Sequence, residues 1–568
     1  MKIPTALNRV PVVLIVAMLA ACGGGDGAST APATAAGTNL TGTLIGTIGA
    51  AAVLQNNGGD DLNATVTQSI GGTAKYDKTA FTFATKLADA AQYLVSVKTP
   101  PTDQTCKVFA GASGTMPAAA NSLWVGCELN YDQLSRSTND SVFGSYSQSS
   151  KPMLGGSAVA VGTTTTAYGE GRYAVFLSSI AGMAGSNSGN FVQVFWRDRY
   201  AGITLLVSAT AAGVEGNGSS SAPVISADGQ MVAFESAATN LVTGDNNATN
   251  DIFVWSALNP GAGVTRVSVG ANGAEANGGS HNPSVSGDGK VVAFESTATN
   301  LVASPVLTGT ATTYIYRRDL VSGANKLISV NAAGQGQSGN LPALSEDGKR
   351  LVFETFSSLL ASDTNNLWDI YLYDDTSGLL TRVSLTSTGA ERDQGTESSS
   401  RIVAPAISGN GRYVAYSTTA TNVVPGDTNT FQDVFVVDTQ PASGTVMPVV
   451  RASVGTAGAQ GDGNSPVGQG ERLSLSYDGQ WVAFTSSATN LGTSAMTGTN
   501  AFMHNISTGE TRPLTVSSSF GPSGPVSMSR TGAYVAFWAG TVLDPRFNAS
   551  GLFARYTGVT NAFSWVAN

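Results

Sequence analysis

The 568-residue sequence is poor in charge, in cysteine and in histidine. Charged residues make up 12% of the chain and the formal net charge is −9, so the sequence offers no basic surface for a phosphate backbone and nucleic-acid binding is disfavoured. Catalysis needs titratable groups, yet the only histidines are His281 and His504. The sequence also lacks a Gly-x-Ser-x-Gly nucleophile elbow, a P-loop and a dinucleotide-binding fingerprint, so it gives no support to the common hydrolase and nucleotide-binding classes.

Glycine is abundant instead, with 67 residues, and Asn, Ser and Thr occupy most of the polar positions. Such a composition is typical of many short strands joined by turns, and it argues against a helical protein or a charged disordered chain. We therefore expect an all-β protein. A length of 568 residues is enough for two or more domains, each with a sizeable core.

The first residues have the features of an export signal. Two basic residues accompany an apolar run, residues 10–21, that is too short to be a stable membrane span. The run ends in Leu19-Ala20-Ala21-Cys22, which resembles the lipobox of bacterial lipoproteins. The resemblance implies removal of residues 1–21 and a diacylglycerol on the Cys22 sulfur. It also favours the outer membrane, because Gly23 is not the aspartate that marks inner-membrane retention. The alternative is an ordinary signal peptide followed by a chance cysteine.

Residues 22–39 consist mostly of small residues and predict a flexible tether. Residues 40–128 predict a small β-sandwich (Ig-like) module, with strands at 40–48, 80–84, 93–98 and 123–127. Cys106 and Cys127 lie 21 residues apart in an exported chain, so we expect a structural disulfide between them. The strings VLQNNGGDDL, FTFAT and YLVSVKTPPTDQTC resemble a sandwich module of bacterial surface lipoproteins, which implies a spacer without a catalytic site.

The rest of the chain is an array of repeats. Five copies read SADGQMVAFESAATNLV, SGDGKVVAFESTATNLV, SEDGKRLVFETFSSLL, SGNGRYVAYSTTATNVV and SYDGQWVAFTSSATNLG, and the weaker copies YGEGRYAVFLSS and SRTGAYVAFWAG flank them. Each copy contains a turn glycine, and successive turn glycines are 53 to 68 residues apart. These glycines are Gly171, Gly229, Gly289, Gly348, Gly411, Gly479 and Gly532.

Each unit divides into four antiparallel strands. In the second unit, strand one (223–226) enters an Asp228-Gly229 turn, for which we expect a tight two-residue hairpin. Because a single four-stranded sheet cannot bury both of its faces, seven such units predict a seven-bladed β-propeller over residues 157–568. We expect a linker at 129–156, and the apolar segment 562–566 aligns with the fourth strands of the other units.

The motif set resembles the TolB-type, WD-like propeller repeats of bacterial envelope proteins, and the resemblance covers most of the chain. It implies a fold and not a function, since propellers carry many unrelated activities. Members of that family often have six blades, so a six-bladed ring is the alternative.

The connectivity predicts where a site would lie. In a four-stranded meander, the short turns after strands one and three share one face of the ring, here named the turn face. The longer connections after strands two and four share the other, the loop face. Long polar loops on a rigid scaffold commonly carry function, so we expect the loop face and the channel mouth to bind the partner. His281 falls in one of these loops and is a candidate binding residue, although a lone loop histidine is more often only solvated.

Three units carry an Asp, an Asn two residues later and an Asp four residues beyond that, just before strand three. Oxygen ligands alternating through a tight loop are what calcium requires, so calcium is the one cofactor with a candidate site. The alternative is that these side chains bond neighbouring amides in Asx turns and hold no metal. The residues are Asp245, Asn247 and Asp251, then Asp363, Asn365 and Asp369, then Asp427, Asn429 and Asp433.

Two other repeated elements have structural explanations. The acidic residues before the turn glycines are better explained by hairpin geometry than by a carboxylate ring; they are Asp228, Asp288, Asp347 and Asp478. The Ala-Thr-Asn-Leu element, as at 238–241, predicts a fixed polar turn where blades stack.

Three functional hypotheses follow. The leading one is a lipid-anchored envelope protein whose propeller is a non-catalytic binding or scaffold platform for a protein or glycan partner. The rival is a propeller enzyme, a lyase or hydrolase acting on an envelope polysaccharide or lactone. The third is a purely structural component of a surface coat. The scarcity of titratable residues favours the first.

Overall fold

A computed structural model describes residues 37–67, 76–102, 104–118, 123–129, 131–133, 153–155, 171–184, 187–199, 201–305, 307, 313–393, 403–441, 446–455, 457–467, 473–492, 495–515, 526–539 and 551–557. These residues form strands and two short 3₁₀ helices, Pro260–Ala262 and Ala271–Gly273. Over these ranges, no helix has the length and apolar character that crossing a bilayer requires. Cys22, the signal peptide and most of the predicted tether lie outside the described residues, so lipidation stays a prediction.

The N-terminal region contains two four-stranded sheets that share one core. Their strand orders are β4-β1-β8-β6 and β3-β2-β5-β7. Alternate residues of these strands face inward, so that Leu44, Leu54, Phe83 and Val125 meet in a common apolar cluster. A disulfide joins Cys106 of β6 to Cys127 of β8, as the sequence predicts. The strands are β1 Thr38–Thr47, β2 Ala51–Asn56, β3 Asp60–Thr65, β4 Tyr76–Leu87, β5 Gln92–Thr99, β6 Gln104–Ala110, β7 Ser113–Thr115 and β8 Trp124–Leu129.

Seven further four-stranded sheets follow, each an antiparallel meander, and we number them blades 1 to 7 in chain order. After β9 (Tyr131–Gln133), the strands of blades 1 to 3 are β10 Met153–Gly155, β11 Tyr173–Ser178, β12 Gln193–Asp198, β13 Ile203–Leu206; β14 Ser220–Ile225, β15 Met231–Ser236, β16 Asp251–Ser256, β17 Val264–Arg266; and β18 Ser280–Val285, β19 Val291–Ser296, β20 Tyr314–Asp319, β21 Asn325–Leu327. Those of blades 4 to 7 are β22 Asn340–Leu344, β23 Arg350–Thr355, β24 Asp369–Asp374, β25 Leu379–Arg382; β26 Val403–Ile407, β27 Tyr413–Thr418, β28 Asp433–Asp438, β29 Val449–Arg451; β30 Ser474–Leu475, β31 Trp481–Ser486, β32 Asn500–Asn505, β33 Thr511–Pro513; and β34 Ser527–Met528, β35 Tyr534–Ala539, β36 Gly551–Tyr556.

The blades form a closed ring. Strand one of each blade contacts strand one of the next, from β10 round to β34 and back to β10, so these strands line a central channel. A separate apolar cluster fills the space between every pair of neighbouring blades, including blades 7 and 1. The all-β propeller predicted from the repeats is confirmed.

The repeated Val-Ala-Phe of strand two explains how neighbouring blades fit together. In blade 2, Val232 and Phe234 point towards blade 1. Ala233 points towards blade 3 and packs with Val292 and Phe294 of that blade. Large residues on one face therefore meet a small residue on the next blade, which is how a close-packed interior is achieved. In blades 1 to 6 an aromatic residue of strand two also packs on one of strand three, with ring centroids 5.8–6.2 Å apart.

All seven turn glycines have positive φ, between 65° and 82°. The prediction of a two-residue hairpin is wrong. The backbone N–H of Ser226 donates to the carbonyl of Met231, so the loop between these paired residues contains four residues. Only the glycine of the Asp228-Gly229 dipeptide takes positive φ, as in a loop built around a type I turn. The Asp228 carboxylate accepts bonds from the Ser226 hydroxyl and from the backbone N–H of Gln230. Its counterparts Asp288, Asp347 and Asp478 accept the same two bonds in their blades. Hairpin geometry therefore explains these acids.

The prediction of a linker at 129–156 needs correction. Within it, β9 pairs with β36 as the outermost strand of blade 7, and β10 is the innermost strand of blade 1. The segment 562–566, expected as a fourth strand, lies outside the described residues. Blade 7 takes its fourth strand from the other end of the propeller sequence, and so the chain closes its own ring.

The Ala-Thr-Asn-Leu element is a polar turn, as predicted. Asn217, in the connection entering blade 2, bonds Thr239 and Asn240 of that blade through both its backbone and its side chain. Ala238 and Leu241 on either side are buried between blades 1 and 2. The turn thus fixes the connection between two blades while its apolar members fill their interface.

Candidate functional site

The central channel contains a cavity of about 680 Å³. Its middle is apolar and is formed by strand one of successive blades. Its two ends are polar, with His281 and two glutamates towards the loop face and a glutamate, a tyrosine and an arginine towards the turn face. The apolar wall residues include Pro223, Val224, Pro283, Val285, Ala343, Leu344, Pro405, Ala406 and Leu473. A concave apolar wall with a few polar groups at its ends is typical of a ligand site.

His281 lies in β18, the innermost strand of blade 3, and the prediction that it lies in a loop is wrong. Strand one of this blade already begins at Ser280, because residues 280 and 281 pair with β19. Its Nδ1 lies 3.0 Å from Oε1 of Glu235 in the preceding blade. His281 is therefore a half-buried residue of the channel mouth with a fixed carboxylate partner.

The two glutamates at this mouth are fully engaged with the protein. Glu235 Oε1 also accepts a bond from the Asn250 amide, and Oε2 accepts one from the Asn282 backbone N–H at 3.3 Å. Glu295 repeats the arrangement one blade on, accepting from the Asn282 side chain at 2.9 Å and from the Leu341 N–H at 2.7 Å. Asn282 and Leu341 have positive φ, at 51° and 53°, so each glutamate holds a bulged start of the next blade's inner strand.

Sequence reasoning missed these glutamates although a signal existed. Glu occupies the same place in strand two of blades 2, 3 and 4, within VAFES, VAFES and VFET. The corresponding residues of blades 1, 5 and 6 are Leu177, Ser417 and Thr485. A charged residue confined to three adjacent repeats, inside an otherwise apolar strand, indicates a local role rather than a general one.

The hydrogen bond between Glu235 and His281 shifts the pKa values of both residues. It favours the imidazolium and so raises the pKa of His281, while partial burial acts in the opposite sense. Burial by itself would raise the pKa of Glu235, but the bond to His281 and the histidine charge outweigh it, and the pKa is lowered. The pair is thus an ion pair over a wider pH range than isolated side chains would give. The other histidine, His504, is buried beside Thr511, and burial lowers its pKa to about 4.

The aspartates of the first predicted calcium group, Asp245 and Asp251, lie close together, but an arginine lies between them. Nη1 of Arg266 lies 3.4 Å from Asp245, 3.2 Å from Asp251 and 2.9 Å from Glu275. The Asn247 side chain turns its amide N–H towards Asp251, and its oxygen accepts from the Thr249 N–H. That last bond is the Asx turn of the alternative explanation.

The other two groups repeat this arrangement. Arg382 Nη1 lies 2.9 Å from Asp363, 3.5 Å from Asp369 and 2.8 Å from Glu391. Arg451 Nη1 lies 2.8 Å from Asp427, 3.4 Å from Asp433 and 3.2 Å from the Gln460 oxygen. The oxygens of Asn365 and Asn429 accept backbone N–H bonds two residues on.

A guanidinium therefore supplies the positive charge at the centre of each group. Among the described residues, no cluster of three or more His, Cys, Asp or Glu side chains has an arrangement suited to a metal ion. Calcium binding stays a prediction, and it would have to compete with an arginine already in contact with both aspartates.

The chain matches no family model and no curated protein. Its fold is similar to that of several solved structures. TolB from Acinetobacter baumannii is 16% identical over 56% of this chain and 61% of that chain, less than two thirds of its length, with a TM-score of 0.31. The β-propeller domain of the Trilobed protease from Pyrococcus furiosus is 12% identical over 57% and 78%, with a TM-score of 0.34. Oligogalacturonate lyase from Vibrio parahaemolyticus is 10% identical over 68% and 87%, with a TM-score of 0.39.

Proposed function

We propose that the chain is a lipid-anchored protein of the cell envelope, in the outer membrane, whose propeller is a non-catalytic binding platform for a protein or glycan partner. The observation that carries the proposal is the loop-face mouth of the channel. There a cavity of about 680 Å³ is lined by Glu235, His281 and Glu295, and these charged groups are held in place by the protein itself.

The bonding of those charged groups supports binding rather than catalysis. A general base needs an oxygen or nitrogen that is free to take a proton from the substrate. Both oxygens of Glu235 and of Glu295 accept hydrogen bonds from the protein, and each glutamate fixes the start of the next blade's inner strand. These side chains therefore shape a rigid recognition surface.

The test compares the two faces with the mature chain, residues 22–568, carrying Cys22→Ser so that no lipid is attached. The chain is immobilised and incubated with solubilised envelope proteins and, separately, with purified envelope polysaccharides. Loop-face variants should lose most of the captured partner. They are His281→Ala and the pair Asn217→Ala with Asn277→Ala, in which Asn277 makes to Thr299 and Asn300 of blade 3 the bonds that Asn217 makes in blade 2. The turn-face variants Lys290→Ala and Lys349→Ala, with exposed side chains, should keep the captured partner. Capture of nothing above background from several envelope preparations, or equal loss from both faces, contradicts the proposal.

One observation favours an enzyme as the second candidate. Glu235 bonds Nδ1 of His281, and a carboxylate in that position orients an imidazole for proton transfer. The channel would then hold a polysaccharide or lactone, with His281 as the base of a lyase or hydrolase. Turnover of such a substrate, abolished in His281→Asn with the fold intact, would establish this function. No turnover of a panel of envelope polysaccharides and lactones would end it.

A further inference from the structure

A second cavity, of about 620 Å³, lies at the turn face of the channel. Among the described residues, the two cavities share six lining residues, one from each of blades 2 to 7, which we call the ring. Each is the variable residue between Ser and Asp, Asn or Thr in the turn that joins strands one and two. The ring residues are Ala227, Gly287, Glu346, Gly409, Tyr477 and Arg530.

The backbone of this ring is fixed by hydrogen bonds from blade to blade. The Gly287 N–H donates to the Glu346 carbonyl at 2.7 Å, and the Glu346 N–H donates to the Gly409 carbonyl at 2.9 Å. The Asn410 N–H then donates to the Tyr477 carbonyl at 2.9 Å, and the Tyr477 N–H donates to the Arg530 carbonyl at 2.6 Å. With the backbone held in this way, the width of the opening depends on the ring side chains.

Three of those side chains fill the opening. Glu346 of blade 4 reaches Arg530 of blade 7, whose Nε lies 3.1 and 3.2 Å from the two carboxylate oxygens. The Arg530 guanidinium stacks on Tyr477 of blade 6, 3.7 Å from the ring centroid. A Cβ at Gly409 would lie 2.5 Å from Tyr477 Cδ2 and 2.9 Å from Glu346 Oε1, so the glycine leaves the space that the cluster occupies.

We propose that Glu346, Tyr477 and Arg530 form a gate that closes the channel at the turn face. The larger cavity is then a blind pocket whose opening lies at the loop face, beside His281. This inference concerns access to the channel and does not depend on which partner the protein binds.

The chemistry of the three residues suits a gate better than a structural plug. Glu346 and Arg530 are each about a quarter exposed, at 26% and 27%, and ion pairs that water can reach contribute little to stability. Two other ring positions are glycine, so the turn tolerates the loss of its side chain. The pair can therefore break, or be removed, without dismantling the ring.

The experiment asks whether a flexible linker can pass through the ring. One cysteine replaces Ser221, which lines the large cavity, and another replaces Asn410, which lines the turn-face cavity. Thr531 stands at the place of Asn410 in blade 7, so that turn accepts other residues. Cys22→Ser removes the remaining unpaired cysteine. A six-residue strand is about 20 Å long, and the route around a four-stranded blade is about 50 Å, so a bis-maleimide of about 25 Å can join the cysteines only through the channel.

We expect little cross-linking with the gate intact. Cross-linking should rise about tenfold in Glu346→Gly with Arg530→Gly, because a linker that cannot span its sites gives almost no effective concentration. The charge-reversed pair, Glu346→Arg with Arg530→Glu, should close the ring again. Labelling with a mono-maleimide verifies that both cysteines react, and thermal melting verifies the fold. The proposal would be overturned if the protein with an intact gate cross-linked as much as the double-glycine variant. It would also be overturned if the double-glycine variant folded but did not cross-link.

Discussion

Gly229 of blade 2 lies against the ring of Tyr173 in blade 1, and a Cβ at that glycine would come within 2.1 Å of Tyr173 Cδ2. The turn glycines of blades 3 to 6 make the same close approach to the first residue of strand two in the preceding blade, with a Cβ 2.2–3.0 Å from that side chain. A Cβ at Gly171 of blade 1 would likewise lie 2.8 Å from Tyr534 of blade 7, whereas a Cβ at Gly532 of blade 7 would lie nearest to Met528, at 3.2 Å. The glycine is thus needed twice, once for its positive φ and once for the contact between blades.

Gly229→Ala should lower the free energy of unfolding by about 3 kcal/mol, about 1 from the left-handed backbone conformation and about 2 from the clash with Tyr173. Gly334→Ala is the matched control, because Gly334 has a φ of 75° and nothing within 4 Å of its would-be Cβ. The free energy of unfolding of that control variant should fall by about 1 kcal/mol. Urea titration of both variants measures the difference, and equal losses would mean that the interblade contact costs nothing.

The repeats made the propeller predictable because seven copies of one short motif report the same local geometry. The arginines at the centres of the acidic groups have an equally clear signal in the sequence. Arg266, Arg382 and Arg451 each stand two residues before a serine in the strand-four region, and only in the three units with the Asp-x-Asn-x-x-x-Asp pattern. The other described units have residues such as Leu206 and Leu327 there. An arginine that appears together with the acids indicates an ion-pair group.

Other features had no local signal. The fourth strand of blade 7, Tyr131–Gln133, has three residues, and its partner β36 lies about four hundred residues further along the chain. Nothing in so short a segment specifies a partner at that distance. The gate residues fall at the variable position of the turn, where the described blades carry Ala, Gly, Glu, Gly, Tyr and Arg, so the repeat pattern does not predict them.

Arg382→Met should destabilise the protein by about 3 kcal/mol, because it leaves Asp363 buried without its counter-charge and leaves Asp369 with Arg392 alone, 4.0 Å away. Lys290→Met removes an exposed ion pair to Asp288 and should change stability by less than about 0.5 kcal/mol. The melting temperature of the unaltered chain should not change when a chelator is added. A fall of several degrees on chelation, reversed by calcium, would instead support the calcium prediction.

The two histidines should titrate far apart, and with only two imidazoles their proton NMR signals are easily followed. His281 should have a pKa above its ordinary value of 6.5, and His504 a pKa of about 4. Glu235→Gln should bring the His281 pKa down towards 6.5, since the carboxylate raises it, and leave that of His504 unchanged. Unshifted His281 in the unaltered chain would mean that the pair seen in the structure does not persist in solution.

The same pKa shifts give opposite pH dependences of stability. The folded-state pKa of His281 is raised, so its contribution is complete below pH 6.5 and is lost as the pH rises through the folded pKa. The folded-state pKa of His504 is lowered, so the folded protein gains stability as the pH rises from about 4 to 6.5. Urea titrations across pH 4–9 measure how much less stable His281→Asn and His504→Asn are than the unaltered chain. The loss of stability in His281→Asn should become smaller at high pH, and the loss in His504→Asn should become smaller at low pH.

The closure of the ring by β9 can be tested with a disulfide. Asp132 and Ala554 are directly opposite each other in the β9–β36 pairing, so cysteines at these two positions should join on oxidation. A bond between residues this far apart in sequence removes much of the freedom of the unfolded chain, and its reduction should lower the melting temperature measurably. Ala562→Cys, paired with the same Ala554→Cys, tests the competing assignment of 562–566 as the fourth strand. A disulfide in that variant, with none between positions 132 and 554, would mean that the C-terminal segment closes blade 7. The N-terminal strand would then have no part in holding the ring shut.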